Sequence, residues 1–550
     1  MKRLVIGVLA LSISSALMAA TPTFDGARIS ADVKVLASDA FEGRSPATEG
    51  ERKTVAFLSQ ALAQAGVQPG GDIVDGKRVW TQSVPLRMSD IVGKPQLSIG
   101  RPGAHRHLTQ REEITVRAAQ DGSTQVKLDN APLVFVGYGV KAPERDWDDF
   151  KGVDLKGKIM VVLINDPDFE TGQGDFDGKG MTYYGRWTYK YEEAARQGAA
   201  GVLIVHETAP ASYGWATVAG SNANTMFDVV RENPSEAHTA LEGWIQRDLA
   251  VQLFADAGLD FEQLKAAAQK RDFQPVALTG QTFSADYAVK SEVITSSNVL
   301  GRIEGAKYPD ETVIYSAHWD HIGVGEPDAN GDRIFNGAMD NASGTAALLE
   351  MARVWADGPQ PERSVVFLFV TAEEKGLLGS EYYASNPLYP LEKTVSVINV
   401  DGAAAMAPSR DFGIYGVADL ELLEQLKAVA ARWDVRYTPD SKPEAGLFFR
   451  SDHFPFAKRG VPAVSYGAGQ DLIEGGIEAG RAASADYTAK RYHQQGDEWQ
   501  PEWTFAGAAR DLQILWTLGS ELANSRSWPA WGPGSADFGQ IRDQSADQRK

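Results

Sequence analysis

The chain has 550 residues, 73 Asp and Glu against 54 Lys and Arg, a formal net charge of −19, and no cysteine. That length exceeds one ordinary core and implies two or more domains; with 43% apolar residues the chain can fill them, so disorder is not the expectation. The acidic balance argues against nucleic acid as a ligand, and the missing cysteines exclude disulfides, thiolate nucleophiles and Cys-type zinc sites.

Lys2 and Arg3 precede an apolar run from Leu4 to about Leu17, and Ala19 and Ala20 follow. This is the pattern of a cleavable secretory signal over 1–20. The run is short for a membrane span of roughly 20 residues, and no later stretch is long and apolar enough. An exported, soluble chain, periplasmic or secreted and without a lipid-bearing cysteine, is therefore expected.

Residues 26–66 read as helical, with Val33, Leu36 and Ala37, then Phe57, Leu58, Leu62 and Ala63, near helical spacing. From about 85 the pattern changes to short strands, among them LVFVGYGV at 133–140 and KIMVVLIND at 158–166. A helix from about Tyr189 to Gln197 leads into the buried-strand pattern GVLIVHE at 201–207. Residues 240–272 read as helical, and SSNVLGRIEG at 296–305 restarts a strand pattern. From there apolar strands (VIYSAH, SVVFLFVT, VSVINV, VPAVSYG) alternate with amphipathic helices (GTAALLEMARVWAD, LELLEQLKAVAARW). That alternation predicts a mostly parallel sheet covered on both faces. The Ser-, Gly-, Pro- and Gln-rich segment after about 524 reads as a loose tail.

Chemistry-bearing residues cluster at the predicted strand ends. His318 follows VIYSA, Glu373 and Glu374 follow FLFVTA, and Asp401 follows VSVINV. Ligands of open α/β sheets bind outside the carboxyl ends of the strands. Asp340, in GAMDNASG just before a helix, and His493, in RYHQQGDEW, complete a set of carboxylates and imidazoles suited to divalent cations. Asp320 stands two residues after His318, where a carboxylate fixes the ring of a metal-bound histidine. The adjacent Glu373 and Glu374 repel each other unless one meets a cation and the other a proton donor. His105, His107, His206 and His238 read as ordinary surface or core residues, and the acidic stretch 166–177, lacking the glycine of a calcium loop, as a solvated loop.

The stretches AHWDH, DNASG, AEEKGLLGS, NVDG and RYHQQGDEW resemble the co-catalytic zinc peptidases of clan MH. These are the bacterial leucyl-type aminopeptidases and, more distantly, glutamate carboxypeptidase and the transferrin receptor ectodomain. The resemblance covers about 290–525, with 26–66 similar to the helical start of the same domain. It implies an α/β fold, a mostly parallel, mixed sheet flanked by helices. Its domain division is 21–85 and 290–525 for the peptidase, 86–289 for an insertion holding a β-rich protease-associated domain, and 526–550 for the tail. The insertion resembles that domain through LVFVGYGV, DLKGKIMVVL and AARQGAAGVLIVH.

Residue by residue, the resemblance makes Asp340 the carboxylate bridging two Zn2+ per chain. His318 and Asp401 complete one metal and Glu374 and His493 the other. Glu373 becomes the general base acting on metal-activated water, Asp320 the orienting carboxylate behind His318, and Tyr492 the oxyanion donor, with packing as the alternative. The implied activity is hydrolysis of N-terminal residues from peptides with a free N-terminus. The alternatives are a carboxypeptidase or dipeptidase of the same clan, for which Arg450, Arg481 and Arg491 are available to hold a carboxylate, then glutaminyl cyclisation or a non-catalytic receptor-like module. SDHFPF at 451–456 resembles a segment near the substrate pocket, and Phe448, Phe449 and Phe454 either line that pocket or belong to the core.

Overall fold

The computed structural model describes residues 22–549. The expected signal segment 1–20 lies outside the described residues. Helix α1 (Gly26–Leu36) starts where the Asp25 carboxylate accepts the N–H groups of Ala27 and Arg28, and it buries Ile29, Val33 and Leu36 along one face. Helix α2 (Glu49–Gln64), capped by Thr48, buries Leu58, Ala61 and Leu62 against the same core.

Among the described residues, one mixed sheet has 16 strands. Its strands are, in chain order, β1 (Thr81–Arg101), β2 (Gln125–Phe135), β3 (Ile159–Leu163), β4 (Gly201–His206), β5 (Leu241–Gln246), β6 (Val276–Ile303), β7 (Tyr308–His318), β8 (Arg363–Val370), β9 (Thr394–Val400), β10 (Asp411–Ile414) and β11 (Ala463–Ala468), with shorter strands besides. Ten of them lie in the spatial order β10-β11-β9-β7-β8-β6-β2-β3-β4-β5, and β1 lies off this path, paired antiparallel with β6. Strands β11, β9, β7 and β8 are mutually parallel, as are β2, β3, β4 and β5, while β6 is antiparallel to both β8 and β2. Helix α3 (Gly344–Asp357) and helix α4 (Ala506–Ala523) cover one face of the β7–β9 region with α1 and α2, and residues including Tyr383, Phe456 and Val461 cover the other. A second core forms between Ile114, Leu133, Ile159, Leu203, Phe254 and Phe283.

Three expectations are corrected. Residues 240–272 begin with strand β5, and the helices Arg247–Asp256 and Phe261–Ala268 follow. Both faces of β5 are covered, so it lacks the alternation that marks a half-buried strand. Strand β6 starts at Val276 rather than near 296; its first part alternates polar and apolar residues too irregularly to announce a 28-residue strand. The segment after 524 is anchored. Phe538 lies 5.0 Å from the Trp531 ring and 6.0 Å from that of Phe448, and the buried Arg542 donates to the Thr394 and Leu391 carbonyls. A few large side chains outweigh its polar composition. Phe448, Phe449 and Phe454 are buried together and belong to the core.

Candidate metal centre

The carboxyl ends of β7, β8 and β9 deliver His318, the Glu373–Glu374 pair and Asp401 to one rim of the sheet. Asp340 arrives from the turn 338–343 that opens α3. The buried Asp497 carboxylate shapes that turn by accepting the Met339 and Asp340 N–H groups at 3.1 Å each. His493 comes from the turn that follows the helix Gly476–Lys490, with a left-handed φ of 57°.

All five predicted ligands converge. His318 Nε2 lies 3.2 Å from Asp401 Oδ1 and 3.3 Å from Asp340 Oδ1. His493 Nε2 lies 3.1 Å from both Asp340 Oδ2 and Glu374 Oε2. The two oxygens of Asp340 therefore face two different donor groups. Despite its burial, the flanking imidazoles of His318 and His493 hold the Asp340 carboxyl well below the usual carboxylate range. Behind the site, Ser451 Oγ donates to Asp401 Oδ2 at 2.8 Å, and Asn399 Nδ2 donates to Ser451. This fixes the outer oxygen of Asp401 and leaves the inner one for the centre.

Asp320 sits differently from expectation. Its carboxylate is 3.8 Å from His318 Nδ1, and that nitrogen faces the Asp320 backbone carbonyl at 3.2 Å instead. The carboxylate accepts the Glu373 N–H at 3.0 Å and the Glu374 N–H at 3.4 Å. Asp320 thus holds the turn that presents the glutamate pair; burial raises it to about 6. Burial also pushes the Glu373 carboxyl well above its ordinary value, reinforced by Asp401, Asp452 and Glu374. Tyr492 stacks on the His493 ring at 3.9 Å and is half-exposed. Burial and the neighbouring carboxylates push its phenol upward, so it stays protonated.

Sequence reasoning missed two members. His321, inside the quoted AHWDH stretch, is fully buried, and its Nδ1 lies 2.6 Å from Glu374 Oε1. Asp497, inside RYHQQGDEW, braces the Asp340 turn. Both sit in motifs that were singled out, yet their spacing alone does not say where they point. His238, by contrast, is half-buried away from the centre and bridges Asp228 and Glu242 at 2.9 Å each.

Two donor groups could hold a metal: His318 with Asp340 and Asp401, and His321 with Asp340 and Glu374, each with donor atoms within 4.8 Å of one another. The mixed imidazole and carboxylate set suits zinc and related divalent ions. Glu374 Oε1 and both His321 nitrogens are buried without a hydrogen-bond partner, which fits a cation as their missing partner.

Among relatives, Aminopeptidase NAALADL1 of Mus musculus is 42% identical over 120 residues, 20% of this chain and 14% of that protein. Leupeptin-inactivating enzyme 1 of Streptomyces exfoliatus is 28% identical over 227 residues, 40% of this chain and 48% of that protein. The chain thus spans less than half the length of either. The fold is similar to that of a solved aminopeptidase from Aneurinibacillus sp. strain AM-1, with a TM-score of 0.50 and 18% identity over 93% of this chain and 97% of that one. Residues 298–517, which carry all five converging side chains, match the model of peptidase family M28.

Proposed function

We propose that the protein is an exported zinc-dependent metallopeptidase that removes N-terminal residues from peptides, using two metal ions and a glutamate base. The observation that carries the reading is the position of Asp340, whose two oxygens face separate imidazole and carboxylate groups. His318 and Asp401 would hold one ion and Glu374 and His493 the other, with Asp340 shared. When bound, the zinc ions supply Lewis acidity for the carbonyl and acidify water. Glu373 takes the proton from the attacking water and delivers it to the leaving amine; its burial gives it the proton affinity that role needs. Tyr492 keeps its proton and donates towards the developing oxyanion. Asp320 keeps Glu373 and Glu374 in register.

Export rests on the N-terminal pattern of 1–20; among the described residues no helix is long and apolar enough to cross a membrane. The second core between Ile114 and Phe283 is read as a protease-associated domain inserted into the peptidase.

The test is a panel of free-amine and N-blocked fluorogenic peptides, assayed with and without chelator. Free-amine substrates alone should be cleaved, and chelation should reduce turnover to background. Equal cleavage of N-blocked peptides would move the assignment to a different exo- or endopeptidase.

One observation favours a second reading, a peptidase that selects substrates carrying a carboxylate. Arg186 is buried, its Nε has no hydrogen-bond partner, and burial together with nearby Arg450 lowers its guanidinium to about 10. Arg450 lies against the Tyr213 ring, one residue before the Ser451 that braces Asp401. Arg491 is engaged by Asp486. A buried guanidinium without an anion is costly, and a substrate carboxylate would satisfy it. Arg186→Gln should then raise KM about 10- to 100-fold for free-carboxylate substrates and leave their amides unchanged. Equal KM changes for acid and amide would remove this reading.

A further inference from the structure

The Glu374 side of the centre contains one imidazole more than the expected ligand set. His321 lies three residues beyond the end of β7 and is fully buried, whereas the side chain of His493 is 38% exposed and stands on a turn. The two rings are 5.8 Å apart between centroids and inclined at 72°, so both address the same carboxylate from different directions. His321 Nδ1 approaches Glu374 Oε1 to 2.6 Å, while His493 Nε2 takes the other oxygen of that carboxylate at 3.1 Å.

The close His321–Glu374 contact falls outside hydrogen-bonding geometry. Neither ring nitrogen of His321 nor Glu374 Oε1 has a partner in hydrogen-bonding geometry, although all three atoms are buried. A shared proton would draw the two atoms into line. Two buried, electron-rich atoms at such a separation and out of line stay together when both point at a common cation. The donor atoms of His321, Asp340 and Glu374 lie within 4.8 Å of one another, as such a cation requires. The ring cannot turn away readily. Gly337, at φ +56°, packs its backbone against the imidazole, and a Cβ there would fall 2.5 Å from the ring atoms Cγ and Cδ2. Arg44 ties down the segment on both sides by donating to the Trp319 and Gly337 carbonyls at 2.9 Å each.

We infer that His321 is itself a metal ligand, so that the ion on the Glu374 side is held by two imidazoles, a fixed inner one from His321 and an outer one from His493. This rests on the two-ion reading proposed above and adds to it a division of labour. His321 retains the ion inside the fold, and His493, at the solvent edge, completes the shell.

The test uses the full chain stripped of metal and titrated with cobalt(II), with calorimetry for stoichiometry and affinity. The cobalt-loaded wild type should show three hyperfine-shifted, exchangeable imidazole N–H proton signals, from His318, His321 and His493. In His321→Gln the first ion should bind as in the wild type, and the second at least about 100-fold more weakly, a loss no smaller than that for removing an outer-sphere partner. His493→Gln should keep the second ion more tightly than His321→Gln does. Two imidazole signals in a wild type that binds two ions, or a second ion bound equally well by His321→Gln, would overturn the assignment. The wild-type spectrum does not depend on how well the variant folds. A wild type that binds fewer than two ions would instead sink the two-ion reading itself.

Discussion

Glu373→Gln is expected to lower kcat about 10²–10⁴-fold while leaving metal content and KM close to those of the wild type. The amide keeps the size and burial of the side chain but cannot accept the proton of the attacking water. Its neighbour Glu374 faces His321 and His493, whereas Glu373 makes no such contact and borders the centre through the charges of His318, Asp401 and Asp452. Replacing a buried carboxyl whose charge is disfavoured should not cost stability, so the loss should be confined to turnover. Metal analysis beside steady-state kinetics checks this. A variant that loses its metal would make Glu373 a ligand, and one with near-normal kcat would remove it from proton transfer.

Arg44→Met is expected to be the most damaging single change to stability, at about 3–5 kcal/mol, and to weaken metal binding as well. Arg44 is fully buried and donates to four backbone carbonyls: Leu36 at the end of α1, Trp319 beside His318, and Asn336 and Gly337 before Asp340. Burial lowers its guanidinium to about 10, so it remains charged at neutral pH, with Asp497 and Asp320 offsetting the cost. Methionine fills much of the same volume and supplies none of the four donors, leaving buried carbonyls unmatched. Chemical denaturation of the metal-free chain isolates the structural part, and cobalt titration of the folded fraction reports the effect on the Asp340 turn. A loss under about 1 kcal/mol would show that solvent readily replaces these bonds.

How much of this was legible in the sequence depends on whether a feature is periodic or positional. The β7–β9 region was readable because VIYSAH, SVVFLFV and VSVINV are continuous apolar runs joined by amphipathic helices. The positions of His318, Glu374 and Asp401 were readable because they stand at or just beyond the ends of those runs. Strand β5 was not, because LEGWIQ is buried on both faces and carries no two-residue rhythm. The spacing of Asp320 conveys only part of its surroundings. Two residues from His318 suggests a partner for the ring, but the chain turns so that the carboxylate meets the Glu373 and Glu374 amides. Arg44 and Asp497 have no local signature at all. Each works mainly by satisfying backbone groups far along the chain, 292 residues away for Arg44 and Asn336 and 157 for Asp497 and Asp340, which no pattern within a window records.

Strand β6 and its antiparallel partner β1 have a mechanical consequence. The strand is 28 residues long, a contour of roughly 90 Å, paired with β1 from Val299 back to Thr282 with a single irregularity near Asp286 and Ala288. Its far end joins β2 in the second core, and its near end joins β8 beside the glutamate pair. The two cores are therefore joined by a stiff twisted ribbon rather than a string. Torque on one would be transmitted to the other, and relative motion of the two cores would have to come from bending at that irregularity.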